Sequence, residues 1–93
     1  MTLPTVPESP RIVSLGEVLW DVFPDETRFG GAAANFACHA ASHGATVTMI
    51  SRVGSDVLGL QAIVELKSHG VSVNHLQRDA VLATGTVLVQ VDK

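Results

Sequence analysis

The sequence predicts an α/β fold built on a parallel sheet. Three observations carry that expectation: short β-branched apolar runs alternate with helical segments, the connections between them are short, and one helix-to-strand transition occurs twice. The repeated transition is Ser42-His43-Gly44-Ala45-Thr46-Val47, which returns as Ser68-His69-Gly70-Val71-Ser72-Val73. Both copies read as a helix end, a glycine stop and a new strand. The echo is too brief for a solenoid repeat.

Each element follows from its local chemistry. Residues 1–10 read as a loosely attached lead-in, because Pro4, Pro7 and Pro10 block regular structure. Residues 11–17 (RIVSLGE) form a short apolar run suited to a buried strand, and residues 18–23 continue or branch from it. Pro24 and Asp25 mark a turn. In residues 32–43, Ala33, Phe36, Ala37, Ala40 and Ala41 recur at helical spacing and give a narrow face of small residues. Gly44 supplies the left-handed stop, and His43 lies in the last turn, where positive charge is favoured.

Residues 46–53 (TVTMISRV) are β-branched and apolar, which predicts a strand. Gly54-Ser55-Asp56 is a turn whose aspartate can cap the next helix. That helix, residues 57–69, carries Leu60, Ile63, Val64 and Lys67 along one face and ends at Gly70. Residues 71–76 start another strand, and residues 85–91 (GTVLVQV) are a last, strongly β-forming run.

Composition narrows the function. The chain has 93 residues, 46% hydrophobic and 16% charged, which describes one globular domain or part of one. Net charge is −3 and the six Lys and Arg are scattered singly, so no basic stripe exists for nucleic acid. Cys38 stands alone, without an internal disulfide partner, which fits a reducing cytoplasm. The start lacks the pattern of a secretory signal, and the apolar runs are too short to span a bilayer, so a cytoplasmic chain is expected. Lys93 follows closely on a strand, and two helices scarcely cover four or five strands of a parallel sheet. On these physical grounds the sequence reads as unfinished.

Gly30-Gly31-Ala32-Ala33-Ala34-Asn35 is the segment richest in chemistry. Two glycines ahead of a helix let backbone approach a ligand, and the helix start offers unpaired N–H groups. Asn35 both donates and accepts, as a polyol requires. Composition alone favours a plainer reading, a glycine turn leading into a packed alanine helix. His39 and His43 stand four apart, a chelating spacing, but no third ligand is evident and an exposed helix face explains them. Cys38 reads as a small buried hydrophobe. Trp20 and Phe23 suit stacking on such a polyol ligand and interface packing equally.

The pattern Gly30-Gly31-x-Ala33-x-Asn35-x-Ala37, with Gly44 and Gly54 beyond it, resembles the first signature of the PfkB (ribokinase-like) carbohydrate kinases. Gly16-Glu17-Val18-Leu19-Trp20-Asp21 resembles the first strand of fructokinase-like members. Gly54-Ser55-Asp56-Val57-Leu58-Gly59 is similar to the family's G-x-D-x-x-G segment, and residues 66–71 followed by Thr84-Gly85-Thr86 fit as well. The resemblance covers residues 11–93 and implies a Rossmann-like, ribokinase-type sheet with a small β-lid, incomplete in this chain.

By position, the resemblance makes Asp21 the carboxylate that holds sugar hydroxyls, with Gly30 and Gly31 contributing backbone contacts and Asn35 its amide. On the residues alone, Asp21 is equally a solvated turn acid. Residues 18–29 and 84–92 match the family's lid, which covers the sugar and often supplies homodimer contacts. Glu17 either places the lid or meets the sugar, while Arg28 and Phe29 approach from the lid side. In the family, ATP and Mg2+ are the cofactors, and the base is an aspartate of a G-A-G-D segment. That segment is absent here, and the resemblance puts the base beyond Lys93. No catalytic residue is therefore expected in this chain, which alone would bind sugar poorly and transfer no phosphate.

The expected function is thus the sugar-binding part of an ATP-dependent kinase acting on a small, fructose-like sugar, with neither nucleic acid nor membrane as a partner. Two other readings stand beside it. One is a truncated, non-catalytic fragment, either an interaction module or a broken gene product. The other is a fragment of a dinucleotide-binding oxidoreductase, which would want G-x-G-x-x-G after the first strand, where Gly16 is instead followed by Glu17-Val18.

Overall fold

A computed structural model describes residues 10–90. The expected lead-in falls almost entirely outside the described residues. Its last member, Pro10, is exposed and accepts a 2.8 Å hydrogen bond from the Thr46 N–H, which extends the first strand's ladder by one link. Lys93, beyond which the resemblance puts the catalytic base, also lies outside the described residues, together with the last two positions of the expected lid segment 84–92.

The chain forms β1 (Arg11–Leu15), β2 (Leu19–Val22), β3 (Thr27–Gly30), α1 (Ala32–Ser42), β4 (Thr46–Gly54), α2 (Val57–Ser68), β5 (Leu76–Asp79) and β6 (Gly85–Leu88). They build two three-stranded sheets. The first has the order β1-β4-β5 and is parallel throughout, with Ile12 opposite Val47 and Val53 opposite Arg78. The second has the order β3-β2-β6, antiparallel between β2 and β3 and parallel between β2 and β6. The expected α/β fold with a parallel sheet is present.

Side-chain alternation divides the parallel sheet into two unlike faces. One face carries Ser14, Val47, Met49 and Val53, all buried beneath the helices. Ala34 and Ala37 of α1 and Ala62 and Leu66 of α2 complete that core. The small residues of α1 let the helix lie close to β1, where the Ser14 hydroxyl donates to the Ala33 carbonyl at 2.7 Å. The other face carries Val13, Leu15 and Ile50, which are exposed.

The strand expected over residues 71–76 is displaced. Ser72 makes a single bridge to Thr48, a turn follows at Asn74 and His75, and the strand proper is Leu76–Asp79. Leu76 donates back to the Val73 carbonyl at 3.0 Å, closing that turn. The last strand spans Gly85–Leu88. On α2 the buried positions are Gly59, Ala62 and Leu66, whereas Leu60 and Val64 point outward.

Both helices end in the same way. The Gly44 N–H bonds the Ala41 carbonyl and the Ala45 N–H bonds the Ala40 carbonyl; Gly70 and Val71 repeat this onto Lys67 and Leu66. These are Schellman stops, with glycines at φ 93° and 81°. Each preceding serine hydroxyl donates to the carbonyl three residues back, at 2.6 Å for Ser42 and 2.7 Å for Ser68. The sequence echo is therefore a doubled helix terminator.

Candidate functional site

The double glycine joins the second sheet to α1. Gly30 closes β3 and Gly31 caps α1 with φ 100°, a conformation that a side chain disfavours. A methyl group on Gly31 would strike the Glu17 carbonyl, and one on Gly16 would lie 2.7 Å from the Ala33 Cβ. The segment after β1 thus packs backbone to backbone against the start of α1. No side chain caps that helix and its first turn holds no acid, so the N–H groups of Ala32 to Ala34 lack helical partners.

An open groove of about 580 Å³ lies here, bounded by Leu15, Gly16, Glu17, Gly31, Ala33 and Phe36. Its chemistry is mixed: small and apolar walls, one carboxylate at Glu17, and the amide donors of the helix start.

Asp21 stands on the adjoining sheet. Register pairs it with Arg28 on β3 and Val87 on β6, so these share a face with Leu19, Gly30 and Gly85. Gly30 makes room for the acid: a methyl there would come within 2.8 Å of Asp21 Oδ2. Among the described residues, no salt bridge or side-chain hydrogen bond engages Asp21. Arg28 turns instead to Glu26, at 2.5 Å, and lies 4.9 Å above the Phe23 ring.

The remaining predicted residues fall in different places. Phe29 occupies the opposite face of this sheet from Asp21, where its ring meets Trp20 edge to face at 5.3 Å. Asn35 is exposed in the first turn of α1 and does not line the groove. The structure therefore brings Asp21 to Gly30 and Glu17 to Gly31, with Asn35 one step along the same helix and Phe29 turned away. His39 and His43 lie 4.4 Å apart, but the His43 Nδ1–H donates to the His39 carbonyl at 2.9 Å, and no group of three metal-binding side chains occurs among the described residues. Cys38 is half-buried, and burial first, then the charge of Glu65, pushes its thiol pKa up.

Sequence reasoning missed Thr84 as more than a motif neighbour. It is buried, and its hydroxyl and N–H both bond Asp56, at 2.5 and 2.9 Å. The Asp56 pKa is lowered chiefly by that hydroxyl, then by the Thr84 and Gly59 N–H groups. The spacing Gly54-x-Asp56-x-x-Gly59 was visible in the sequence, but the partner 28 residues away was not.

Comparison with known proteins gives the family and the fold. The model of the pfkB family carbohydrate kinases matches residues 7–93. A fructokinase of Klebsiella pneumoniae is 38% identical over 87 residues, covering 88% of this chain and 28% of its own length. A 2-dehydro-3-deoxygluconokinase of Thermoproteus tenax is 37% identical over 65 residues, covering 70% of this chain and 20% of its own. The crystal structure of Vibrio cholerae fructokinase with fructose, ADP and calcium ion superposes with a TM-score of 0.83 at 30% identity, over 94% of this chain and 30% of that one. The chain thus spans about a quarter of the curated relatives it matches. Among the described residues, no helix is long and apolar enough to cross a membrane.

Proposed function

Since this chain belongs to the pfkB family of carbohydrate kinases, we propose that it is the sugar-binding portion of a kinase that phosphorylates a small, fructose-like sugar with ATP. One observation supports this above others: Gly30 leaves space for the Asp21 carboxylate beside the uncapped start of α1. A carboxylate accepting from two neighbouring hydroxyls makes charge-assisted bonds that fix a sugar's orientation. The amides of the double-glycine bend and the side chain of Asn35 supply the complementary donors and acceptors. The similar Vibrio enzyme was crystallised with fructose, and the Klebsiella relative is a fructokinase, which favours a ketose over other sugars.

The sheet β3-β2-β6 acts as a lid over the sugar in this reading, and its outer strands serve a homodimer. Closing a lid excludes water, which competes with the sugar for the phosphoryl group. Glu17 lies next to that lid in sequence and either places it or meets the sugar, Arg28 on β3 approaches the sugar from the lid side, and the cytoplasm is where such a kinase would meet its substrates.

In this reading ATP and Mg2+ act in the whole kinase rather than in this portion alone. Among the described residues no group of three acids, histidines or cysteines gathers. No step of phosphoryl transfer is assigned to this chain.

Saturation-transfer NMR with fructose, ribose and 2-keto-3-deoxygluconate tests the reading. Fructose should give the strongest transfer, with weak affinity, and Asp21→Asn should lower that affinity at least tenfold, as loss of charged hydrogen bonds worth about 1.5–3 kcal/mol requires. Equal transfer to all three sugars, unchanged in the variant, would sink it.

A further inference from the structure

We infer that Asp56 and Thr84 form a latch that sets the position of the β3-β2-β6 sheet, making both of them positioning residues for Asp21. The inference rests on the sugar-site reading for its functional meaning, though not for its geometry.

An N-cap aspartate needs only one oxygen to satisfy a helix start. Asp56 meets that need with Oδ1, which accepts from the Gly59 N–H at 2.8 Å. The carboxylate also takes the Thr84 hydroxyl on Oδ1, at 2.5 Å, and the Thr84 N–H on Oδ2, at 2.9 Å. The Thr84 hydroxyl in turn accepts from the Gly54 N–H at 2.9 Å. Three segments therefore meet at one carboxylate: the end of β4, the start of α2 and the residue that leads into β6. Gly54 permits the approach, since a methyl there would crowd the Thr84 nitrogen and the Leu82 carbonyl.

A second tie lies close by. The Trp20 Nε1–H donates to the Leu58 carbonyl at 3.0 Å. The sheet is thus anchored through two different strands, β2 by Trp20 and β6 by Thr84, to a single turn of α2. One anchor alone would let the sheet pivot, whereas two fix its direction. Asp21 follows Trp20 directly and pairs with Val87 on β6, so its carboxylate moves with whatever moves this pair of strands.

Two variants separate the latch from the helix cap. Asp56→Asn keeps a good N-cap oxygen for Gly59 but replaces one acceptor with an NH2 group. Thr84→Val leaves the cap untouched and removes the hydroxyl, while Thr84→Ser restores it. The readouts are amide hydrogen exchange along β6 and α2 and the fluorescence of Trp20, the single tryptophan of the chain. Asp56→Asn and Thr84→Val should each speed exchange of the β6 amides roughly tenfold and make Trp20 more open to quenching, with α2 little changed. Thr84→Ser should match the parent.

Fructose affinity should fall in the same two variants and hold in Thr84→Ser. If the parent binds no fructose, the sugar-site reading fails while exchange and fluorescence still judge the latch. Unchanged β6 exchange in both variants would overturn the inference. So would unfolding of the whole chain by either, because the contact would then belong to the core.

Discussion

At the scale of single residues, the site turns on where a side chain is missing. Gly30 and Gly31 were legible in the sequence as a bend before a helix, but not the reason for two of them. The structure separates their roles: Gly31 needs its positive φ and clears the Glu17 carbonyl, while Gly30 clears the Asp21 carboxylate. Gly30→Ala should therefore leave the fold intact and push the acid aside by the few tenths of an ångström that a 2.8 Å contact demands. The expected result is a loss of fructose affinity close to that of Asp21→Asn, about tenfold, with an unchanged circular dichroism spectrum. Full affinity in the alanine variant would show that the carboxylate does not need that space. Phe29 illustrates what sequence adjacency hides. It neighbours Gly30 in the chain, yet strand alternation turns it to the other side, against Trp20.

At the scale of elements, the helices and their stops were readable because glycine at a helix end has few other uses, and both Schellman stops lie where the echo places them. The strand Leu76–Asp79 was not readable. Its sequence, LQRD, is mostly polar and lacks the β-branched apolar run that marks the other strands of this sheet. The loop after it depends on two acids. Asp79 Oδ1 accepts from the N–H groups of Val81 and Leu82, at 2.8 and 2.9 Å, and Arg52 pairs with its other oxygen at 3.1 Å. The Leu82 and Val81 N–H groups lower the Asp79 pKa, with Arg52 a smaller cause, as the Thr84 hydroxyl lowers that of Asp56. Both folded values lie below the ordinary aspartate value of about 3.9, so their stabilisation is complete above that pH and lost as pH falls through the lowered values. Acidification should free residues 80–84 and the root of β6 before the helices melt. NMR titration of the two carboxyl carbons checks this, and an Asp56 that titrated at the ordinary value would contradict it.

At the scale of the whole molecule, the helices cover one face of the parallel sheet and leave the other open. Val13 is 62% exposed and Leu15 76% exposed, side by side with Ile50. Parallel sheets are ordinarily covered on both faces, since their strands carry apolar residues on each. An apolar strip of this kind on an isolated chain favours association with whatever can cover it. The 93-residue chain should accordingly bind a hydrophobic dye and grow in mean mass with concentration in sedimentation equilibrium. Placing charge on the strip with Val13→Lys and Leu15→Glu should reduce both effects while leaving the buried side of the sheet, and hence the helical circular dichroism signal, as it was. A parent chain that stayed monomeric and dye-free at high concentration would mean that this face is tolerated in water, and the sheet's stability would then have to come from the Ser14, Met49 and Val53 side alone.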